Sequence, residues 1–132
     1  MIAGERCMDR SVLLVDDDLE TLELVGTMLE RSGYRILAAR SGLKALQMAR
    51  LEHPDLILLD IMMPGMDGYE VLEILKADQT TNDIPVVIFS ARGQVDDQLK
   101  GMEAGAVDYI PKPAQTGELV MILENALQGT GE

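Results

Sequence analysis

Along the chain, short unbroken apolar runs alternate with stretches whose apolar residues recur every three or four positions. Val12-Leu13-Leu14-Val15 predicts a buried strand, and Thr21, Leu24, Val25 and Met28 then recur at helical spacing until Ser32-Gly33 breaks the pattern. Tyr34 to Ala39 predicts a second strand, with Ser41 as N-cap of a helix that carries Ala45, Leu46 and Ala49 inward and ends at His53-Pro54. Leu56 to Leu59 is a third strand, followed by a loop to Asp67 and a helix with Val71, Leu72 and Leu75 on one face. Pro85 opens a fourth strand, Val86 to Phe89. A helix from about Gln94 to Ala104 follows, closed by Gly105 where a left-handed cap belongs. Val107 to Ile110 is a fifth strand, and the last helix fills Gly117 to Gln128. Strands that are apolar throughout, separated by amphipathic helices, predict an α/β fold: a parallel sheet covered on both faces, doubly wound into three layers. The expected unit spans residues 11–128, between a 1–10 tail and a 129–132 tail. In such folds the loops that leave the carboxyl ends of the strands build the site.

A chain of 132 residues with 47% apolar content suits one domain with a core of ordinary size. Twenty-three acidic against eleven basic residues give a net charge of −12, the wrong sign for bulk attraction to phosphate backbones or anionic lipid. Direct nucleic-acid binding and membrane insertion are therefore not expected, and the absence of a long apolar span or signal-like start points to the cytoplasm. The single cysteine, Cys7, permits neither an intrachain disulfide nor a cysteine metal cage. The lone His53 has no neighbours in sequence to complete a ligand set.

What changes the picture is the set of charges at the strand ends. Strand one runs into Asp16-Asp17-Asp18, strand three into Asp60, strand four into Ser90 and strand five into Lys112. Asp18 precedes the first helix and reads as its N-cap. If strands one and three are neighbours, two or three carboxylates converge, and each like-charge pair at ~4 Å costs on the order of 4 kcal/mol at an effective dielectric near 20. Such a cluster requires a cation. Oxygen ligands without Cys or His describe a magnesium site better than a zinc site. A lysine and a hydroxyl opposite a carboxylate complete the parts for phosphoryl transfer, with the carboxylate as nucleophile.

The segments LLVDDD (13–18), PDLILLDIMMPGMDG (54–68), VVIFSA (86–91) and AGAVDYIPKP (104–113) stand in an order and spacing that resembles the receiver domain of two-component response regulators. The resemblance implies a flavodoxin-like (βα)5 fold with strand order 2-1-3-4-5. It implies Asp60 as phospho-acceptor and a Mg²⁺ site of Asp16, Asp17, Asp60 and the main-chain carbonyl of Met62. It further implies Lys112 and the hydroxyl of Ser90 at the phosphoryl group, with Tyr109 as an aromatic whose rotamer follows Ser90, and a cis Lys112-Pro113 peptide. The partners implied are a sensor histidine kinase or histidine phosphotransfer protein as donor, and a downstream protein or output domain as target. The protein would be a signalling module that promotes its own phosphoryl transfer and dephosphorylation, not an enzyme acting on a separate substrate. A stand-alone regulator like those of chemotaxis and a receiver from a longer protein are both open.

Three departures matter. Ala114 stands where many receivers carry Phe after the Lys-Pro pair, and Met62 and Arg92 occupy positions that tune acyl-phosphate lifetime. The last helix, ELVMILENALQ, has no arginine for ion-paired dimerisation. Its stripe of Leu119, Ile122, Leu123, Ala126 and Leu127 is enough to cover a sheet, so Val120 and Met121 are expected to face outward, where helix four, strand five and helix five would dock a partner or form a homodimer. Two other readings stay open. An aspartate-nucleophile phosphatase of the haloacid dehalogenase type would need a second Asp where this chain has Met62, and a degenerate receiver would serve only as an interaction module.

Overall fold

The computed structural model describes residues 10–63, 65, 67–91, 95–112 and 114–129. Cys7, Arg92, Pro113 and most of both expected tails lie outside them. Strands β1 (Ser11–Val15), β2 (Arg35–Ala39), β3 (Leu56–Leu59), β4 (Val86–Ser90) and β5 (Asp108–Pro111) alternate with helices α1 (Leu19–Arg31), α2 (Gly42–Glu52), α3 (Gly68–Ala77), α4 (Val95–Glu103) and α5 (Thr116–Gly129). The sheet is parallel in the order β2-β1-β3-β4-β5, as expected.

Because side chains alternate along a strand, β1 sends Val12 and Leu14 to one face and Leu13 and Val15 to the other. The first pair packs with Leu22, Val25 and Leu29 of α1 and Leu119, Leu123 and Leu127 of α5. The second packs with Ala45, Leu46 and Ala49 of α2 and Tyr69, Val71, Leu72 and Leu75 of α3. Both faces of β1, β3 and β4 are dry, which is why their sequences read as unbroken apolar runs.

The helix ends follow local chemistry. Asp18 caps α1, accepting from the Glu20 amide and the Thr21 hydroxyl, and Ser41 caps α2 by accepting from the Lys44 amide. Asp67 and Glu70 form a reciprocal capping box at the start of α3. Gly33 (φ 101°) closes α1 and Gly105 (φ 113°) follows α4, both in the left-handed region where glycine carries no Cβ penalty. His53 adopts φ 44° at the end of α2, where Pro54 bars continuation, and its Nε2 lies 3.2 Å from Asp83.

Several expectations shift. The inward stripe of α1 is Leu22, Val25, Gly26 and Leu29, and Leu24 is 66% exposed. The helix carries apolar residues enough for either phase, and the one adopted turns Gly26 toward Leu14 and Ile36 at ordinary van der Waals spacing. Tyr34 is buried but precedes β2, and β5 starts at Asp108 rather than Val107. On α5, Leu119, Leu123 and Leu127 are buried and Met121 is 60% exposed. Val120 departs from expectation: it packs partly buried against the α1/α5-side core, as do Ile122 and Ala126. In α4, a Cβ on Gly101 would lie 2.4 Å from Ile88 Cδ1, so a larger residue there requires the tip of Ile88 to move.

Candidate functional site

The register decides which side chains meet at the carboxyl end of the sheet. Val15 pairs with Ala39 on one side and with Leu59 on the other. Arg40, Asp16 and Asp60 each stand one residue beyond that row. The Asp16 amide donates to Ala39 O at 3.1 Å and the Asp60 amide to Val15 O at 2.9 Å, so the strand ladder extends to the acidic residues themselves. Alternation then aims Asp16 (two beyond Leu14), Asp60 (two beyond Leu58) and Lys112 (two beyond Ile110) to the α1/α5 side. Ser90, two beyond Ile88, and Tyr109 lie on the other side, with α2 and α3.

Asp16 and Asp60 are buried, with 4% and 6% of their surface exposed. Each is held the same way. Asp16 Oδ1 accepts from the Asp18 amide at 2.9 Å and Asp60 Oδ1 from the Met62 amide at 3.0 Å. The second oxygen of each faces the same ammonium: Lys112 Nζ lies 2.5 Å from Asp16 Oδ2 and 3.4 Å from Asp60 Oδ2. Asp17 joins from the rim, so that one oxygen from each of the three carboxylates lies within 4.8 Å of the others. Three carboxylates against one ammonium leave two negative charges in excess.

The electrostatics follow from this crowding. Burial, assisted by the Asp16 charge, raises the Asp60 carboxyl above its ordinary value against the opposing pull of the Met62 amide and Lys112. For Lys112 burial alone would lower the pKa. The hydrogen bond to Asp16 and the charges of both buried carboxylates together outweigh it, and the lysine is raised. Three hard oxygen donors with excess negative charge fit a hard divalent cation, and no thiol or imidazole belongs to the set.

Of the residues singled out in the sequence, Asp16, Asp17, Asp60 and Lys112 come together directly. Met62 contributes its amide to Asp60, and its side chain is half exposed. Ser90 is fully buried, and its carbonyl accepts from the Lys112 amide at 2.9 Å. Tyr109 is 9% exposed, with its ring beside Gly101. The expected cis Lys112-Pro113 peptide and the Arg92 position fall outside the described residues. Two contributors escaped the sequence reading. Arg40 Nη2 donates to the Asp17 carbonyl at 3.1 Å, and the Lys112 ammonium stands 5.3 Å from the centroid of the Phe89 ring. The parallel register would have revealed Arg40, one residue beyond Ala39. Nothing in the run VVIFS distinguishes Phe89 from a core residue.

A (βα)5 sheet with an acidic cluster and a lysine at its carboxyl end defines a class, and comparison with known proteins agrees. The model of the response regulator receiver domain matches residues 12–124, and the chain belongs to that family. It is 41% identical over 122 residues to the phosphate regulon transcriptional regulatory protein PhoB of Pseudomonas aeruginosa, covering 92% of this chain and 53% of that protein. It is 39% identical over 119 residues to the DNA-binding dual master transcriptional regulator RpaA of Synechocystis, covering 90% and 49%. The chain thus spans about half the length of these curated relatives. Among solved structures it resembles a CheY-like response regulator receiver domain protein from Methanospirillum hungatei (TM-score 0.84, 28% identity, 92% of this chain and 96% of that one). It also resembles the receiver domain of a sensor histidine kinase from Pseudomonas aeruginosa, solved with a magnesium ion coordinated in its active-site cleft (TM-score 0.84, 28% identity, 90% and 98%). Among the described residues no helix is long and apolar enough to cross a membrane.

Proposed function

We propose that Asp60 accepts a phosphoryl group from the phosphohistidine of a sensor histidine kinase or phosphotransfer protein, or from a small donor such as acetyl phosphate. The observation that carries this reading is the state of Asp60: buried, one oxygen fixed by an amide, the other facing Lys112 inside a ring of two further carboxylates. Asp16, Asp17, Asp60 and the Met62 carbonyl would hold Mg²⁺, which when bound neutralises the carboxylates and the phosphoryl oxygens. The Asp60 oxygen forms a new O–P bond as the donor's N–P bond breaks. The electron pair returns to the imidazole nitrogen, and an acyl phosphate results. Lys112 leaves its carboxylates for a phosphoryl oxygen, while hydrolysis of the acyl phosphate resets the domain.

The response runs through Ser90 and Tyr109 to the face of α4, β5 and α5, where Leu99, Met102, Val107 and Met121 are exposed. This face would meet a second receiver or an effector. The curated relatives are transcriptional regulators about twice as long, which supports an output domain beyond this unit. The domain's own charge of −12 argues against its touching DNA directly.

Acetyl phosphate labelling tests the assignment. Wild type is expected to form an acid-stable, base-labile phosphoprotein only with Mg²⁺ or a close substitute, and Asp60→Asn none. A variant that labels as well as wild type overturns it.

A further inference from the structure

We propose that Phe89 positions the Lys112 ammonium at the carboxylate cluster, and that this hold matters most when a divalent cation occupies the carboxylates. The role of the lysine rests on the functional reading above; its location rests on geometry.

Phe89 is the only phenylalanine in the chain, and its side chain points to the α1/α5 side, where Asp16, Asp60 and Lys112 also project. It pairs with Ile110 across the β4–β5 ladder, and Lys112, two residues beyond Ile110 and just past the end of β5, places its ammonium over the ring. The ring is 6% exposed and packed in the cluster formed with Val87, Ile110 and Leu119, which fixes its face. The ammonium stands 5.3 Å from the centroid, inside the ~6 Å range in which a cation is attracted to an aromatic face. The lysine side chain is 19% exposed, so this attraction acts in a partly desolvated place. Ala114, just beyond the lysine, offers the same cluster only a methyl group, and the aromatic surface is supplied from β4 instead.

The ammonium therefore has contacts of two kinds. Asp16 Oδ2 and Asp60 Oδ2 are anionic, and a divalent cation competes for both. The ring face is neutral and is not a metal ligand. When the carboxylates are taken, a lysine with four rotatable bonds gains entropy by swinging into water. The ring remains to keep it at the site, ready for a phosphoryl oxygen.

The test uses the full chain with ¹³Cε-labelled lysine, the Lys112 signal being assigned from Lys112→Arg. In wild type, relaxation should report an ordered Lys112 side chain both without and with Mg²⁺. In Phe89→Leu it should be ordered without Mg²⁺, because Asp16 still holds it, and mobile with Mg²⁺. The rate of phosphorylation by acetyl phosphate should fall about twofold to thirtyfold, the equivalent of a cation–π contact, while Mg²⁺ affinity is unchanged. Phe89→Tyr should restore both order and rate, and Phe89→Met, unbranched and longer than Leu but likewise without a π face, should behave as Phe89→Leu. Pure packing would not produce a defect confined to the Mg²⁺-loaded state. The proposal is overturned if Lys112 becomes mobile in wild type with Mg²⁺, if Phe89→Leu leaves it ordered there, or if Phe89→Tyr fails to restore what Phe89→Leu loses. The relaxation measurement needs no phosphoryl donor, so its failure is distinct from that of the Asp60 assignment.

Discussion

At the amino-terminal rim of the sheet, carboxylates meet donors of their own. Asp78 accepts from Arg50 Nε at 2.9 Å, Asp83 lies 3.2 Å from His53 Nε2, Asp55 accepts from the Ser11 amide at 2.8 Å, and Glu124 accepts from the Tyr34 hydroxyl with Arg10 3.9 Å away. At the carboxyl-terminal rim, Asp16 and Asp60 share the ammonium of Lys112, with the Asp17 carboxylate close beside them. The amino-rim pairs are exposed or half-buried and give each carboxylate a donor of its own; Asp16 and Asp60 at the carboxyl rim are buried and short of positive charge. Charge balance thus separates the end of the molecule whose carboxylates are matched by donors from the end proposed to receive a cation and a phosphoryl group.

The largest expected effect breaks the carboxyl rim without touching a charge. A Cβ at Gly68 would lie 2.3 Å from Ile61 Cα and 2.8 Å from the Asp60 carbonyl oxygen, both main chain. Gly68→Ala should therefore cost about 3 kcal/mol or more in urea unfolding. Gly117→Ala, with nothing within 4 Å, should be neutral or better; equal midpoints for the two variants would mean that the Asp60 loop is slack.

Next is the shared cation. Without divalent metal, Lys112→Met should cost about 1 to 3 kcal/mol by leaving buried carboxylates unpaired. Arg50→Ala at the opposite rim should cost less than that, as exposed pairs do. Added Mg²⁺ should stabilise Lys112→Met at least as much as wild type, because a competing cation has gone. Thermal melts with and without Mg²⁺ check both statements.

A smaller change of opposite sign is expected for Asp60→Asn. The Asp60 carboxyl is raised in the folded state, so its contribution to stability is present below the ordinary carboxylate pKa and lost as pH rises through the raised value. At neutral pH and without metal, the neutral Asn should raise the melting temperature. A fall would show that the pairing with Lys112 outweighs burial and the neighbouring Asp16.

The smallest effect belongs to the amino rim in acid. The hydrogen bond from Arg50, with help from Thr80, holds Asp78 at about 2 against an ordinary 3.8. Its contribution is therefore present above pH 4 and lost as pH falls toward 2. Arg50→Ala should flatten that part of the stability profile, measured by urea titration at successive pH values.

Much of this contrast was legible in the chain. The apolar runs marked the strands, Asp18, Ser41 and Gly105 marked helix ends, and the acidic residues and Lys112 stood out because each interrupts an apolar run. What stayed hidden depends on rotation and register, which sequence spacing does not carry. The phase of α1 stayed hidden because Leu24 and Met28 continue an apolar spacing as well as Leu22 and Leu29 do. The spacing of α5 asks for only a narrow stripe and leaves Val120 outside it, yet the helix buries the edges of its apolar face as well. Arg40 and Phe89 needed the knowledge of which strands are neighbours before their closeness to Asp17 and Lys112 had any meaning.

Gly101 bears on the order in which this sequence can change. Alanine inside α4 would gain up to about 1 kcal/mol of helix propensity over glycine. The obstacle is one methyl group, Ile88 Cδ1, 2.4 Å from the new Cβ, while Tyr109 Cδ2 and Ile88 Cγ1 are at an ordinary 3.6 Å and 3.8 Å. Ile88→Val removes that methyl. A lineage that loses it first finds Gly101→Ala open to it, whereas the reverse order begins with a clash, so neighbouring homologues with Ala at this position should carry Val at the other.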